Sequence, residues 1–173
     1  EDFPKIKGVV RYGVGYDMVD LDAIKERNIY FCNTPDYGTD EVSDTVIGML
    51  MNIARGITQY DHACKRYEDG TWQENTLPNI KRTSDINFGV IGAGRIGGSI
   101  LRKAKAIGFN CYFYDPYKDS GYEKMLGVNR TENQDELLKI ADIISINTPL
   151  TDITRGMVDE NFISNMKAGA SFI

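Results

Sequence analysis

Residues 88–97 read Phe-Gly-Val-Ile-Gly-Ala-Gly-Arg-Ile-Gly and place Gly92, Gly94 and Gly97 in a G-x-G-x-x-G pattern. In this pattern the first glycine permits a tight turn from a strand into a helix, and the second lets a pyrophosphate approach the backbone without meeting a Cβ. The third lets the new helix pack closely. A helix N-terminus favours negative charge through its unpaired N–H groups and its dipole. The stretch therefore predicts a dinucleotide-binding turn.

The flanking sequence supports this interpretation, because three glycines alone occur by chance. Residues 86–91 are mainly apolar and predict a buried strand. Apolar residues at helical spacing predict a helix over residues 95–107, with Gly108 as its terminator. Residues 109–114 predict a second strand. Together they form a βαβ unit of about 30 residues, the length expected of a dinucleotide-binding unit.

Asp115 follows the second strand, about 20 residues beyond Gly97. An acidic side chain at this position meets the ribose hydroxyls of the adenosine and repels a 2′-phosphate. Asp115 therefore predicts binding of NAD(H) in preference to NADP(H). The alternative is that Asp115 only starts a turn with Pro116.

The composition is that of an ordinary globular protein, with 42% hydrophobic and 26% charged residues. The net charge of −5 argues against direct nucleic-acid binding as a main activity. We find no apolar run long enough to span a membrane and no signal peptide. Cys32, Cys64 and Cys111 are expected to be buried, reduced thiols, which favours a cytoplasmic location.

Alternating strands and helices predict an α/β fold, a Rossmann-type doubly wound parallel sheet. Asn133 and Glu136 resemble a capping box that opens a helix to about residue 140, and residues 142–147 predict a further strand. Residues 170–173 begin another strand, at which the chain stops. We expect residues 35–173 to be an NAD-binding Rossmann domain that is incomplete at its C-terminus. A natural terminus on a short edge strand is the alternative.

The N-terminal segment predicts two strands, over residues 6–11 and 29–32, around a short helix over residues 21–27. So few elements cannot bury a core alone. Residues 1–34 are therefore expected to be the C-terminal fragment of a second, flavodoxin-like α/β substrate domain.

A long amphipathic helix is predicted over residues 40–67, followed by a connecting loop over residues 70–83 that contains Trp72. The helix and loop are candidates for a homodimer interface. Their apolar residues could equally pack on the sheet of the same chain.

Four stretches together resemble the D-isomer-specific 2-hydroxyacid dehydrogenases. They are residues 11–20 (Arg-Tyr-Gly-Val-Gly-Tyr-Asp-Met-Val-Asp), Asn33-Thr34-Pro35 with Val42-Ser43-Asp44, residues 88–97, and Asn147-Thr148-Pro149-Leu150-Thr151 with Thr154 and residues 166–170. The chain departs from the family at Ser43-Asp44, where Ala-Glu is usual, and at Asn147, where histidine is frequent.

The resemblance implies a role for each matching position. A glycine-rich turn at Gly13-Val14-Gly15 would present N–H groups to the substrate carboxylate, with Val14 near the nicotinamide. A plain strand-to-helix turn is the alternative for this segment. The implied cofactor-binding residues are Val14, Gly92, Gly94, Arg95, Ile96, Gly97, Asp115, Thr148, Pro149 and Thr154.

The resemblance also implies a catalytic histidine, an acid that orients it and an arginine, all after the strand that begins at Ala170. None is assigned within this chain, which alone is expected to be inactive. The single histidine, His62, is interpreted as an ordinary helix residue, and no metal site is expected.

Three functions remain open at this point. The first is an NAD-dependent oxidoreductase that acts on a small D-2-hydroxy acid or 2-oxo acid, with this chain as its cofactor-binding part. The second is an NAD-sensing, corepressor-like binding protein on the same fold, and the third is a stand-alone nucleotide-binding module.

Overall fold

The computed structural model describes residues 3–66, 76–77 and 80–173. The strands are β1 Gly8–Arg11, β2 Tyr30–Asn33, β3 Asn87–Ile91, β4 Asn110–Tyr114, β5 Asn129–Arg130, β6 Ile143–Ile146 and β7 Ser171–Phe172. The helices are α1 Leu21–Glu26, α2 Thr39–Arg55, α3 Ile57–Lys65, α4 Arg95–Ile107, α5 Tyr122–Leu126, α6 Gln134–Ile140 and α7 Glu160–Asn165.

Five strands form one parallel sheet in the order β5-β4-β3-β6-β7. Within this sheet the chain begins at the central strand β3, continues outward through β4 to β5, and then crosses to β6 on the other side of β3. This reversal between β3 and β6 is the switch point at which doubly wound sheets bind ligands. The predicted Rossmann-type α/β sheet is therefore confirmed.

Both faces of the sheet are covered, as the doubly wound prediction requires. Phe88 and Val90 of β3 belong to a core cluster that includes residues of α2 and α4. Ile91 belongs to a second cluster with residues of α6 and α7. A Cβ on Gly89 would lie 3.0 Å from the Ala141 Cβ, so the sheet and α6 pack tightly at this point.

The N-terminal strands β1 and β2 form a separate parallel pair connected through α1, with Gly8 opposite Tyr30. Asp20 caps α1 by accepting a hydrogen bond from the Ala23 N–H at 2.9 Å. Several large side chains of this segment are exposed, among them Tyr12 and Tyr30. The assignment of residues 1–34 to a flavodoxin-like domain stays a prediction.

The prediction of one continuous helix over residues 40–67 is wrong, because Gly56 adopts a left-handed conformation with φ +62° and separates α2 from α3. The apolar residues also divide between two faces. Val46 and Leu50 are buried in the core, whereas Met49 is 50% exposed. Tyr67, Trp72 and most of the predicted loop lie outside the described residues.

The expectation that all three cysteines are buried is wrong for two of them. Cys111 is buried, but Cys32 and Cys64 are exposed. The short elements α5 and β5 were not predicted, and their five and two residues show no clear period. None of the helices in the described segments is long and apolar enough to cross a membrane.

Candidate functional site

A cavity of about 630 Å³ opens at the carboxyl ends of β3 and β6, at the switch point of the sheet. Among its lining residues are six of the predicted cofactor-binding residues, namely Gly92, Gly94, Asp115, Thr148, Pro149 and Thr154. Val14, Gly15, Arg95, Ile96 and Gly97 do not line it. The fold thus brings together residues that lie up to 62 positions apart, since both Gly92 and Thr154 contribute to the wall.

Gly92 forms the tight turn that ends β3. It has φ +86°, a conformation that side-chain-bearing residues rarely adopt. A Cβ at this position would also lie 2.9 Å from the carbonyl oxygen of Asn147. The Gly92 N–H donates to the carbonyl oxygen of Tyr114 at 2.9 Å, which ties the turn to β4.

Gly97 and Gly94 are required for different reasons. A Cβ on Gly97 would overlap the carbonyl oxygen of Gly92, so the first turn of α4 packs directly on the glycine turn. A Cβ on Gly94 would meet no heavy atom within 4 Å. Packing among the described residues therefore gives no reason for glycine at position 94. The close approach of a pyrophosphate, which the motif predicts, stays a prediction.

The N-terminus of α4 opens beside this turn. Gly94 is its N-cap and has no side chain with which to cap the first N–H groups. Arg95 begins the helix with its side chain 65% exposed, and its Nε lies 4.0 Å from Asp36 Oδ1. These features provide a positive helix end at which an anion is stabilised.

Asp115 is 8% exposed and both of its carboxylate oxygens accept backbone hydrogen bonds. Oδ2 accepts from the Ala93 N–H at 2.9 Å, and Oδ1 accepts from the Tyr117 N–H at 2.9 Å. The second bond closes a turn over Pro116, so Asp115 does start the turn that the sequence analysis gave as its alternative role. Both interpretations are compatible, since each oxygen has a further lone pair available for a ribose hydroxyl.

Thr148, Pro149 and Thr154 belong to the loop after β6. The Thr154 hydroxyl donates to the Pro149 carbonyl oxygen at 2.5 Å and accepts from the Thr151 N–H at 2.8 Å. Thr148 Oγ1 lies 3.7 Å from the sulfur of Met157. The hydroxyl of Thr154 is thus engaged in shaping the loop, and Thr148 and Pro149 line the cavity beside it.

Val14 and Gly15 lie after β1, apart from the cavity wall. The Val14 carbonyl oxygen accepts a hydrogen bond from Asn33 Nδ2 at 2.9 Å, and the Val14 side chain is 37% exposed. His62, the single histidine of the sequence, is exposed on α3.

Sequence reasoning missed several residues of the wall. Tyr117 follows Asp115, Gln134 begins α6, and Asp159 with Asn161 surrounds the start of α7. None of these residues belongs to the glycine motif. Tyr117 reaches the cavity through the turn that follows β4, and the arrangement of α6 and α7 around the sheet brings Gln134, Asp159 and Asn161 to it.

Comparisons with known proteins agree with this fold. A family model described as the NAD-binding domain of D-isomer-specific 2-hydroxyacid dehydrogenases matches residues 47–173. The D-3-phosphoglycerate dehydrogenase of Methanocaldococcus jannaschii is 35% identical over the full chain, which spans 32% of that protein. The glyoxylate reductase of Korarchaeum cryptofilum is 32% identical, again over the full chain, which spans 52% of it.

A solved structure is also similar. The D-lactate dehydrogenase of Aquifex aeolicus, complexed with NAD and lactic acid, superposes with a TM-score of 0.87 at 30% identity. The match covers 98% of this chain and 49% of that one. The chain therefore spans 32% to 52% of the length of these three proteins.

Proposed function

Because the chain belongs to the D-isomer-specific 2-hydroxyacid dehydrogenase family and carries its NAD-binding domain, we propose that the complete protein is an NAD-dependent oxidoreductase. It transfers a hydride between NAD(H) and a small D-2-hydroxy acid or 2-oxo acid, and this chain is mainly its cofactor-binding part. The observation that carries the proposal is the cavity at the switch point, which joins Gly94 and Asp115 in one wall.

The cofactor is proposed to bind with its pyrophosphate at the glycine turn and its adenosine ribose at Asp115. Backbone N–H groups of Arg95 and Ile96 meet the pyrophosphate, where the end of α4 favours negative charge. Thr148, Pro149 and Thr154 surround the adenosine side. Gly92 and Gly97 give the turn the shape that lets the pyrophosphate approach its backbone.

Two domains are proposed, a substrate-domain fragment over residues 1–34 and the NAD-binding domain over residues 35–173. Val14 and Gly15 belong to the first and are proposed to bind the substrate carboxylate through backbone N–H groups, with Val14 also near the nicotinamide. No catalytic residue is proposed within the chain. Because this chain spans only part of its relatives, the acid/base histidine, its acidic partner and the arginine are expected elsewhere in the complete protein.

The cofactor proposal is tested by titrating the protein with NADH and with NADPH, using the fluorescence of the reduced nicotinamide. We expect NADH to bind at least about ten-fold more tightly, because the Asp115 carboxylate repels a 2′-phosphate. Asp115→Asn is expected to reduce that preference. Asp119→Asn, a matched change at an exposed position nearby, is expected to keep it. Equal binding of the two cofactors by the unaltered protein would contradict the assignment of Asp115.

Activity is tested separately. The chain of 173 residues is expected to bind NADH without oxidising it in the presence of glyoxylate or hydroxypyruvate. The complete protein is expected to oxidise NADH with a small 2-oxo acid. NADH consumption by the chain alone would show that catalytic residues lie within it.

A homodimer is proposed through the outer face of α2 and α3, with a second copy of this chain as the partner. Val42, Met49, Ile53 and Ile57 recur on these helices and are between 36% and 54% exposed. Such a row of apolar side chains is typical of an interaction surface. Light scattering of the complete protein is expected to give the mass of a dimer and, for Met49→Glu, that of a monomer. Ile107→Glu, at an exposed apolar position on α4, is the control and should leave the dimer intact.

The location is proposed to be cytoplasmic, consistent with three cysteines that form no disulfide. Cell fractionation tests this.

The corepressor-like alternative is not favoured, because the relatives with the highest identities described above are named as a dehydrogenase and a reductase.

A further inference from the structure

One residue of the glycine turn, Ala93, is held at both of its backbone polar groups. Its N–H donates to Asp115 Oδ2 at 2.9 Å, and its carbonyl oxygen accepts a hydrogen bond from the hydroxyl of Tyr122 at 3.0 Å. Ala93 is fully buried, so these bonds replace water that cannot reach the two groups. Tyr122 is not part of the glycine motif and lies 29 positions further along the chain.

The Tyr122 side chain is itself fixed in place. Its ring packs edge-on against Phe113, with 5.9 Å between the ring centroids and an interplanar angle of 82°. Lys118 Nζ lies 4.9 Å from the ring centroid. The ring that carries the hydroxyl is therefore held by Phe113 of β4 and by the ammonium group of Lys118.

Gly98 leaves room for this hydroxyl. A Cβ at position 98 would lie 3.1 Å from the Tyr122 oxygen and 3.7 Å from the Ala93 oxygen. The absence of a side chain at position 98 thus allows the hydrogen bond between α5 and the turn to form at its present length.

Peptide geometry connects this bond to the ligand. The Ala93 carbonyl and the Gly94 N–H belong to one planar trans peptide unit, in which the two groups point in opposite directions. Holding the carbonyl towards Tyr122 therefore directs the Gly94 N–H away from Tyr122. Gly94 lines the cavity, and no heavy atom of the described residues would lie within 4 Å of a Cβ on it.

We infer that Tyr122 is a positioning residue for the pyrophosphate-binding turn, which it serves by fixing the peptide between Ala93 and Gly94. The inference rests on the proposed function, since it assumes that a pyrophosphate binds at this turn. It assigns Tyr122 no contact with the cofactor. Its effect should be confined to ligands that carry the pyrophosphate.

The test compares Tyr122→Phe with the unaltered complete protein. Binding of NADH is measured by fluorescence, and ADP-ribose and adenosine are measured by competition against it. Tyr122→Phe keeps the ring packing on Phe113 and removes only the hydroxyl. We expect NADH and ADP-ribose to bind about three- to ten-fold more weakly, as for the loss of one hydrogen bond, and adenosine to change less than about two-fold.

Tyr112→Phe is the matched control. The Tyr112 hydroxyl accepts a hydrogen bond from Asn110 Nδ2 at 3.2 Å within β4, away from the turn. Its removal should leave the affinities for all three ligands unchanged. An equal effect of Tyr112→Phe and Tyr122→Phe would overturn the inference.

Gly98→Ala provides a second, independent variant, because the added methyl group crowds the Tyr122 hydroxyl. It should weaken ADP-ribose binding in the unaltered protein and add no further loss in the Tyr122→Phe background. Unchanged ADP-ribose affinity in Tyr122→Phe, or equal weakening of ADP-ribose and adenosine, would overturn the positioning role. If the unaltered protein bound no NADH, the proposed function itself would fail, which is a distinguishable result.

Discussion

Ser43 is fully buried in α2, where a hydroxyl group needs partners to offset its lost hydration. Its Oγ lies 3.2 Å from Ser99 Oγ of α4 and accepts a hydrogen bond from Lys103 Nζ at 2.6 Å. Lys103 also donates to Asp44 Oδ1 at 2.6 Å. The Ser-Asp pair that departs from the family resemblance is thus matched by polar partners on α4.

Replacing Ser43 with alanine is expected to lower the free energy of unfolding by about 1 kcal/mol, because Ser99 loses a buried partner. Ser43→Ala with Ser99→Ala should cost less than the sum of the single changes, since both remove the same bond. Denaturant unfolding of the three variants measures this. Ser84→Ala, at an exposed serine, is the control, and strict additivity would contradict the pairing.

The buried Cys111 is expected to react more slowly with thiol reagents than the exposed Cys32 and Cys64. Burial raises the pKa of the Cys111 thiol to about 12, although the charge of Lys105 opposes this, so the thiolate is scarce at neutral pH. Cys32 and Cys64 are exposed. Reaction of the folded chain with a colorimetric disulfide reagent at pH 8 should label two thiols quickly and the third only after unfolding. Rapid labelling of all three would contradict the burial of Cys111.

At the scale of elements, local sequence predicted α4 fully and the α2–α3 region only in part. Helix α4 spans Arg95–Ile107 and ends at Gly108, as the period and the terminating glycine indicated. The break at Gly56 was missed, because apolar residues continue at helical spacing on both sides of it. A glycine within a periodic stretch is compatible with a continuous helix or a left-handed break, and here Leu77 occupies the space that a Cβ on Gly56 would need.

Two glycines of the turn between β3 and α4 are expected to respond differently to alanine. Gly97→Ala should destabilise the fold by about 2 kcal/mol or more, because the methyl group overlaps the Gly92 carbonyl oxygen. Gly94→Ala should leave stability nearly unchanged, because the added Cβ meets no heavy atom of the described residues within 4 Å. It should weaken NADH binding, because the methyl group would stand where the pyrophosphate is proposed to approach the backbone. Thermal melts and NADH titration of both variants check this. Equal loss of stability in the two would contradict the distinction.

At the scale of the whole molecule, Asp142 joins segments that are distant in sequence. Oδ1 accepts hydrogen bonds from Lys81 Nζ at 3.0 Å and Lys167 Nζ at 2.8 Å, and Oδ2 accepts from the Asn87 N–H at 2.9 Å. Burial alone would raise the pKa of Asp142, but the bonds from Lys167, Asn87 and Lys81 together hold it below its ordinary value.

This arrangement predicts how stability depends on pH. Because the pKa of Asp142 is lower in the folded state, its contribution is present above about pH 4 and is lost as the pH falls through the folded-state pKa. Asp142→Asn should therefore lower the free energy of unfolding by about 1 kcal/mol at pH 7, and the difference from the unaltered chain should shrink below pH 4. Asp152→Asn, at an exposed loop position, should show no such difference at either pH.

The sequence was sufficient to predict those parts of the structure that depend on contiguous residues. The glycine turn and Asp115 were identified because strand, turn and helix follow one another directly. The positions of Gln134 and Asn161 in the cavity wall, and of Tyr122 beside the glycine turn, could not be predicted, since each depends on how a separate helix docks on the sheet. Long-range docking leaves no periodic signal in a single sequence.

The two backbone bonds of Asp115 have a consequence for attempts to change the cofactor. Replacing Asp115 with a small neutral residue would remove the charge that is proposed to repel a 2′-phosphate. The same replacement would also remove the carboxylate oxygen that accepts a hydrogen bond from the Ala93 N–H. The proposed discrimination between the two cofactors and the observed support of the turn thus depend on one side chain. We therefore expect a single substitution at this position to weaken binding of both cofactors. Successful conversion requires a second change that supplies a new acceptor to the turn.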